Sequence, residues 1–373
     1  MEAEIEALVL FRLYSGSQLY IILIVIFGMQ RIVLHIDLDY FYVQVEEVLK
    51  PELKGKPAVV GADPQKGHGR GVVSACNYEA RKYGIHSGMP ISIAYRKCPA
   101  CVFLPVNMDL YVETSVRIMQ IFRKHADKFE LGGIDECYLD VSKRCKSYKQ
   151  AEELAVKIKS ELKNKEKLTC SIGIGPNKLI AKIAANKQKP NGLTAIKPEQ
   201  VKEFLQKLSV RDLMGVGPKT EAVLNSVNIF TIGQLARVSE ASLAEMLGKF
   251  GHTLYQAARG VDESPVEESE EIKSIGRQVT FEKDTGDKKL VLEKLQEIIS
   301  DVYKTLREYK FAYKTVTIKV RYEDFYTTSK AESLKTPHTD EETAQQKARD
   351  LIDIFLLDER KIRLIGFTLS KLS

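Results

Sequence analysis

The chain lacks the marks of a secreted, membrane-bound or repeat protein. Its six cysteines (Cys76, Cys98, Cys101, Cys137, Cys145 and Cys170) follow no disulfide-framework spacing across 373 residues. A chain of this length needs no covalent staples, so a reducing cytoplasm is the expected compartment. Cys98 and Cys101 form a lone C-x-x-C without a second pair, which reads as a structural thiol pair rather than a zinc or redox site. No apolar run reaches the length of a bilayer-spanning helix. The run over residues 19–27 is too short. Glu2, Glu4 and Glu6 precede it where a signal peptide carries basic residues, and no small-residue cleavage site follows. No membrane partner is expected. Charge of one sign is also missing: 56 Lys+Arg stand against 50 Asp+Glu, a net +6. That excess is compatible with a polyanionic partner without requiring one. Neither a fixed-period repeat nor a low-complexity tract is present.

What is there is enough chain for two to four domains with proper cores. The first 28 residues stand apart in composition, and Met29 opens a new apolar segment. Residues 1–28 are therefore expected to be an extension of the reading frame, with the native start at Met29. From there to about residue 197, strands and helices alternate, an α/β pattern. Residues 152–165 form a charged helix with Leu154, Ile158 and Leu162 at helical spacing. Residues 168–174 read as a strand. The next helix starts at about Lys178 and stops at Pro190–Asn191–Gly192. Residues 198–260 are helical with short glycine-containing turns. The acidic stretch 261–273 reads as a linker. Residues 274–373 are α+β, with strands at 279–281, 315–322 and 362–369 and helices at 288–308 and 341–357.

Three carboxylates carry the chemistry. Asp37 follows the apolar strand 31–36, while Asp135 and Glu136 precede the strand 137–141 after Gly132–Gly133. A carboxylate at the end of a buried strand is costly unless it is paired or holds a metal. Three hard oxygen donors from neighbouring strands suit two Mg²⁺ ions in a phosphoryl-transfer site. Asp39 shares a face with Asp37 by alternation, and both it and Asp140 read as structural. Tyr78 and Arg81 lie three apart and share a helix face, a clamp for phosphate oxygens. Tyr40–Phe41–Tyr42 sits at a strand-to-helix turn whose backbone N–H groups suit phosphate; its rings read as core, with packing of Tyr42 against a sugar as the alternative. Lys182 and Lys189 add positive charge within reach of a nucleotide phosphate. In the helical region, Gly215-Val216-Gly217-Pro218-Lys219 has the form of a helix-hairpin-helix turn. Gly215 and Gly217 permit close backbone approach, and the helix start binds a DNA phosphate without reading sequence. Residues 247–251 mark a second such turn.

Together these segments resemble the Y family of lesion-bypass DNA polymerases, DNA polymerase IV type, from Met29 to the last residue. The segments that carry the likeness lie in family order: 37–42, 77–82, 134–140, 175–178 and 189–192. The resemblance implies an α+β multidomain fold shaped as a right hand. The palm takes residues 29–40 and 107–196, the fingers 41–106, the helix-hairpin-helix thumb 197–263, a linker 264–273 and the little finger 274–373. It implies that Asp37, Asp135, Glu136 and the Leu38 carbonyl hold two Mg²⁺. Phe41, Tyr42, Tyr78, Arg81 and Lys189 then bind the dNTP, with Tyr42 as a steric gate against the ribose 2′-hydroxyl. Gly215, Gly217 and Lys219 in the thumb, and Lys314, Lys319, Arg321 and Lys330 in the little finger, are the expected contacts to primer–template DNA. Alternation puts Lys319 and Arg321 on one face. The expected activity is low-fidelity translesion synthesis by a monomer without proofreading. The chain ends without the glutamine-plus-aromatic tail by which many relatives bind the sliding clamp, so a clamp contact at that end is not expected. The family varies at the small residues Ser74, Ala75 and Cys76, over the base pair.

Two other readings compete. A nucleotidyl cyclase-like palm enzyme also presents a Gly-Gly-acidic-acidic hairpin to two metals, but it leaves the helix-hairpin-helix turn and the C-terminal domain without purpose. A DNA-binding scaffold with a dead palm predicts loss of one of Asp37, Asp135 and Glu136, and all three are present.

Overall fold

The computed structural model describes residues 7–15, 18–26, 30–268 and 272–373, the first two stretches as backbone alone. The expected start at Met29 lies outside the described residues. Strands β1 (Ala7–Ser15) and β2 (Gln18–Ile26) pair with each other as a separate antiparallel hairpin. Among the described residues no helix is long and apolar enough to cross a membrane.

The chain divides into two compact units, Met1–Glu268 and Ser269–Ser373. The first is built around β3 (Val33–Leu38), whose apolar, β-branched residues are buried nearly throughout. After it come α1 (Phe41–Leu49), β4 (Ala58–Gly61), β5 (Val73–Cys76), α2 (Tyr78–Arg81), α3 (Ile91–Lys97) and β6 (Val102–Leu104). Next are α4 (Met108–Arg123), β7 (Lys128–Leu131), β8 (Glu136–Asp140), α5 (Tyr148–Glu166), β9 (Cys170–Gly175), α6 (Lys178–Ala185) and β10 (Leu193–Ala195). Strand β3 is the middle of a five-stranded sheet in the order β10-β9-β3-β8-β7, antiparallel to both neighbours. A second sheet, β5-β4-β6, carries α2 and α3.

Alternation along β3 sorts its side chains. Leu34, Ile36 and Leu38 enter one core with Ile118, Phe122, Ile158 and Leu162 of α4 and α5. Val33, His35 and Asp37 take the opposite face, where Val33 packs with Tyr138, Ala181 and Val266. Helix α6 lies directly on that face because Gly173, paired with His35 in register, has no side chain. A Cβ there would stand 2.0 Å from the Ala181 carbonyl oxygen and 2.3 Å from the Ala185 nitrogen.

The helical part of this unit comprises α7 (Val201–Gln206), α8 (Pro218–Ser226), α9 (Ile232–Leu235), α10 (Glu240–Leu247) and α11 (Lys249–Ala257). Both glycine-marked turns join helices. Gly215 needs its left-handed φ of 82° and abuts the Phe250 ring, while Gly217 caps α8 with Pro218 in first position. Lys219, in the first turn of α8, is exposed.

Two expectations change. Helix α6 ends at Ala185, short of Pro190, because the chain turns at residues 186–192 to start β10. The acidic stretch after Val261 has neither helix nor strand, yet it is tied to the first unit. Val266 is buried, the Asp262 carboxylate accepts the Leu179 N–H at 3.0 Å, and Arg123 pairs with Glu268. Its last part, residues 269–271, lies outside the described residues.

The second unit runs β11 (Ser274–Thr285), α12 (Lys288–Glu308), β12 (Tyr313–Tyr322), β13 (Thr327–His338), α13 (Glu341–Phe355) and β14 (Ile362–Ser370). Its antiparallel sheet has the order β11-β14-β12-β13, with the apolar sides of α12 and α13 packed in one core with Val316, Ile318 and Val320. Strand β13 escapes the sequence reading because Thr327–His338 is largely polar and lies at the sheet edge.

Candidate active site

The pairing of β3 with β8 sets Asp37 opposite Glu136. The turn before β8 folds over the Glu136 carbonyl, which accepts the Gly132 and Gly133 N–H groups at 3.0 Å each. The Leu38 N–H donates to the Asp135 carbonyl at 2.9 Å and fixes that turn against the end of β3. All three carboxylates therefore stand at one end of the central strand pair.

Their environments differ. Lys189 Nζ lies 2.6 Å from Asp37 Oδ1. Glu136 is held by Lys182 Nζ at 2.7 and 2.8 Å and by His35 Nε2 at 3.2 Å. The His35 and Lys182 contacts pull its carboxyl from 4.5 down to about 2. His35 is fully buried; burial lowers its pKa and keeps the ring neutral. Asp135 shifts the other way. Burial raises its pKa, and the negative charges of Asp37 and Glu136 raise it further. Adjacent residues with opposite shifts mark Asp135 as the carboxylate short of positive charge.

Asp37, Leu38, Tyr42, Tyr78, Arg81, Asp135 and Lys189 line one cavity of about 310 Å³. Phe41 also lines it, although its ring is buried and only 2% exposed. Its share of the wall is therefore mainly backbone at the start of α1. Tyr42 stacks on the buried Tyr111 ring, with centroids 4.4 Å apart and planes at 12°. Helix α2 is capped by the Asn77 side chain, which accepts the Ala80 N–H at 3.0 Å and also donates to Glu47. This places the Arg81 guanidinium 4.5 Å over the Tyr78 ring. The Tyr78 hydroxyl is buried and, apart from the nearby Arg81 guanidinium, faces no hydrogen-bond partner among the described residues. Ser74 and Ala75 contribute small residues to the same wall.

Two expected members, Lys182 and the carboxylate Glu136, are absent from that cavity. Lys182 points to Glu136, and both line a separate cleft of about 760 Å³ with Lys178 and Tyr138. Both lysines are ion-paired, Lys189 with Asp37 and Lys182 with Glu136, and of the two Lys189 lines the cavity that holds Tyr78 and Arg81. Sequence reasoning passed over His35, although its position two residues before Asp37 gives it the same face. His35, Asp37 and Glu136 offer donor atoms within 4.8 Å of one another. Asp39 is buried. Its carboxylate accepts from Ser171 Oγ, Thr169 Oγ1 and the Asn191 N–H at 2.7, 2.8 and 2.9 Å.

The little-finger candidates do not share a face. Lys319 and Arg321 do, as alternation required, but Lys330 pairs in register with the core residue Ile318 and falls on the helix-covered side. Arg321 is engaged with Thr327 Oγ1 at 2.8 Å. Lys314 stands where the β12–β13 register shifts, between Tyr313 and Thr315. The six cysteines are all buried and free, and burial beside Cys98 pushes the Cys101 thiol up to about 12, as an inert structural thiol requires.

Comparison with known proteins gives a consistent set of likenesses. Residues 36–186 match the impB/mucB/samB family, 272–373 its C-terminal domain, and 211–262 the thumb domain of DNA polymerase-iota. DNA polymerase IV 2 of Methanosarcina mazei is 45% identical over 343 residues, covering 92% of this chain and 93% of that one. DNA polymerase IV of Methanoculleus marisnigri is 45% identical over 342 residues, covering 92% and 94%. Among solved structures, a Y-family DNA polymerase chimera, Dbh-Dpo4(243-245)-Dbh, superposes with a TM-score of 0.84 at 36% identity, covering 91% of this chain and 99% of that one. An insertion ternary complex of Dbh DNA polymerase gives a TM-score of 0.64 at 36% identity, covering 91% and 98%.

Proposed function

This chain belongs to the Y family of lesion-bypass DNA polymerases, DNA polymerase IV type, and on that premise we propose that Asp37, Asp135 and Glu136 are its catalytic carboxylates. The chain is a DNA-directed DNA polymerase of metal-dependent type. In the reaction the primer 3′-hydroxyl attacks the α-phosphorus of a dNTP, a P–O bond forms, and the bond to pyrophosphate breaks. The observation that carries the residue assignment is the convergence of Asp37, Asp135 and the phosphate-binding groups on one cavity of about 310 Å³, with Glu136 opposite Asp37 in the strand register.

The donor set fits a hard divalent cation. Asp37, Asp135, Glu136 and the Leu38 carbonyl offer oxygen alone, and Asp135 is short of positive charge, so two Mg²⁺ ions are the proposed occupants. Bound there, they supply acidification of the 3′-hydroxyl and neutralisation of the triphosphate and departing pyrophosphate. The remaining work falls to the chain itself. Arg81 presents a planar fork and Lys189 a point charge to the triphosphate oxygens. The buried Tyr78 hydroxyl donates to one of them, and the first N–H groups of α1, at Phe41 and Tyr42, face the same anion. Tyr42, stacked on Tyr111, serves in this reading as the steric gate against a ribose 2′-hydroxyl.

For the rest of the chain, the five-stranded sheet and α4–α6 act as palm (29–40 and 107–196), and residues 41–106 as fingers. Helices α7–α11 form the thumb (197–263), residues 264–273 the connection, and 274–373 the little finger. Primer–template DNA and dNTP are the partners. Gly215, Gly217 and Lys219 contact a DNA phosphate, and Lys319 and Arg321, which share a face, form the little-finger contact, with Lys314 on the same strand and Lys330 on the opposite face of the sheet. The cytoplasm is the proposed site of action. A nucleotidyl cyclase reading is not supported by relatives that match across the helical region and the second unit.

The test is primer extension on undamaged and abasic templates with Mg²⁺ and all four dNTPs. Short distributive products that continue past the lesion are expected, and Asp135→Asn should abolish them while DNA binding survives. Near-wild-type extension by that variant overturns the carboxylate assignment.

A further inference from the structure

The turn that carries Lys189 is held by two charged side chains that no part of the reaction above uses. Asp39 is only 1% exposed, and its three donors come from three places: Thr169 just before β9, Ser171 within it, and the Asn191 backbone. On the other side of the same turn, Lys159 of α5 donates to the Asn191 carbonyl at 2.6 Å and to the Gly192 carbonyl at 2.7 Å. Burial lowers the Lys159 pKa while the charge of Asp39 works against that shift, so the two groups sense each other across the turn. Gln44 completes the frame, donating to the Asp39 carbonyl at 2.6 Å and accepting the Thr169 N–H at 2.5 Å. Asn191 has a left-handed φ of 55°, which a short polar side chain tolerates.

A buried carboxylate that accepts three hydrogen bonds, set opposite a cation across one turn, is an expensive arrangement for loop closure alone. Its geometric result is that Lys189, two residues before Asn191, reaches the Asp37 carboxylate at 2.6 Å. We propose that Asp39 and Lys159 are positioning residues, clamping the Asn191–Gly192 turn from both sides so that Lys189 is fixed to meet the dNTP triphosphate. The clamp also ties the strand end bearing Asp37 to the lysine opposite it, so metal-ligand strand and phosphate-binding turn move as one body. This rests on the reading of Lys189 as a triphosphate contact.

The experiment is steady-state single-nucleotide insertion by the full chain carrying Lys159→Gln, Asp39→Asn, Lys189→Ala and the double change Lys159→Gln/Lys189→Ala. Thermal melts and DNA binding are measured alongside. For Lys159→Gln the expected result is a rise of about tenfold in the KM for dNTP with kcat changed by less than about threefold. DNA affinity should stay unchanged, and Lys159→Arg should restore most of the loss. Asp39→Asn should show the same split, and if it fails to fold, Lys159→Gln alone decides. In the Lys189→Ala background, Lys159→Gln should add nothing to the KM for dNTP, because the side chain it positions is gone. Two outcomes overturn the clamp: an unchanged KM in folded Lys159→Gln, or equal effects of Lys159→Gln with and without Lys189. If Lys189→Ala itself leaves the KM for dNTP unchanged, the triphosphate role of Lys189 falls first, and the clamp with it.

Discussion

Replacing Asp135 by asparagine should abolish activity and, in the same molecule, raise the melting temperature of the metal-free protein. Burial raises the Asp135 pKa, as do the charges of Asp37 and Glu136, and Lys189 opposes them only weakly. A carboxyl whose folded pKa lies above its unfolded value holds its proton more tightly in the folded state. Ionising it therefore costs stability, and near neutral pH that cost is present in full. One like-charge pair in a half-buried site is worth on the order of 1 kcal/mol or more. A gain of that size moves the melting temperature of a unit this large by roughly 2–4 °C.

The neighbouring residue supplies the internal control. Glu136 is pulled from 4.5 down to about 2 by His35 and Lys182, which corresponds to about 3 kcal/mol of preference for the ionised form. Glu136→Gln leaves His35 and Lys182 facing a neutral amide, so it should lower the melting temperature where Asp135→Asn raises it. Differential scanning fluorimetry in EDTA, then with millimolar Mg²⁺, reads both effects. The ion should stabilise the wild type by mass action and stabilise Asp135→Asn less. A melting temperature for Asp135→Asn below wild type, or for Glu136→Gln above it, refutes this account of how charge is distributed over the three carboxylates.

Three further outcomes are expected. Tyr42→Ala should reduce discrimination against ribonucleotides by at least about tenfold in single-nucleotide insertion, and unchanged discrimination retires Tyr42 as the gate. Gly173→Ala should destabilise the first unit by about 3 kcal/mol in denaturant unfolding, because its Cβ meets the α6 backbone rather than a movable side chain. An effect below about 1 kcal/mol would mean α6 can lift off the sheet cheaply. Glu161 is held at about 2 instead of 4.5, first by its bond to Lys165 and then by that to His125. Its folded pKa is depressed, so its contribution is present above about 4.5 and is lost as pH falls toward 2. Glu161→Gln should therefore melt with a shallower acid dependence over that window, and an identical acid limb disproves the contribution.

What the sequence made legible followed from period and chemistry. The alternation around Asp37, the Gly-Gly opening before Asp135 and the helical spacing of residues 288–308 each state their structure locally, and each element appears where expected. Strand β13 was invisible because Thr327–His338 draws its strand character from pairing along β12, not from apolar alternation. The end of α6 was misplaced because Pro190 and Gly192 signal a stop, while the chain had already left the helix at Ala185 to form the turn that Asp39 and Lys159 hold. Long-range partners were hidden for a like reason. Nothing near Lys182 says that it lies on Glu136, 46 residues away; that contact depends on Gly173 letting α6 settle on the sheet.

The same contact explains how three carboxylates stay folded together before any substrate arrives. Buried negative charge is tolerated when a cation or a donor set faces it. Glu136 has Lys182 and His35, Asp37 has Lys189, and Asp39 has three donors with Lys159 beyond the turn. Asp135 has no such direct partner among the described residues in the ion pairs and side-chain hydrogen bonds of the site. The lysine on Asp37 differs from the one on Glu136 in a way that matters for turnover. Lys189 lines the nucleotide cavity, so it can exchange a carboxylate for a triphosphate without leaving its turn, whereas Lys182 lines the other cleft with Glu136. Substrate binding should therefore release Asp37 and leave Glu136 held. Removing Lys189 should accordingly expose Asp37 to repulsion in the empty enzyme and lower its melting temperature in EDTA. With saturating Mg²⁺ that difference should largely vanish. If the Lys189→Ala deficit persists undiminished with the ion present, the lysine's role in the resting site is packing, not charge.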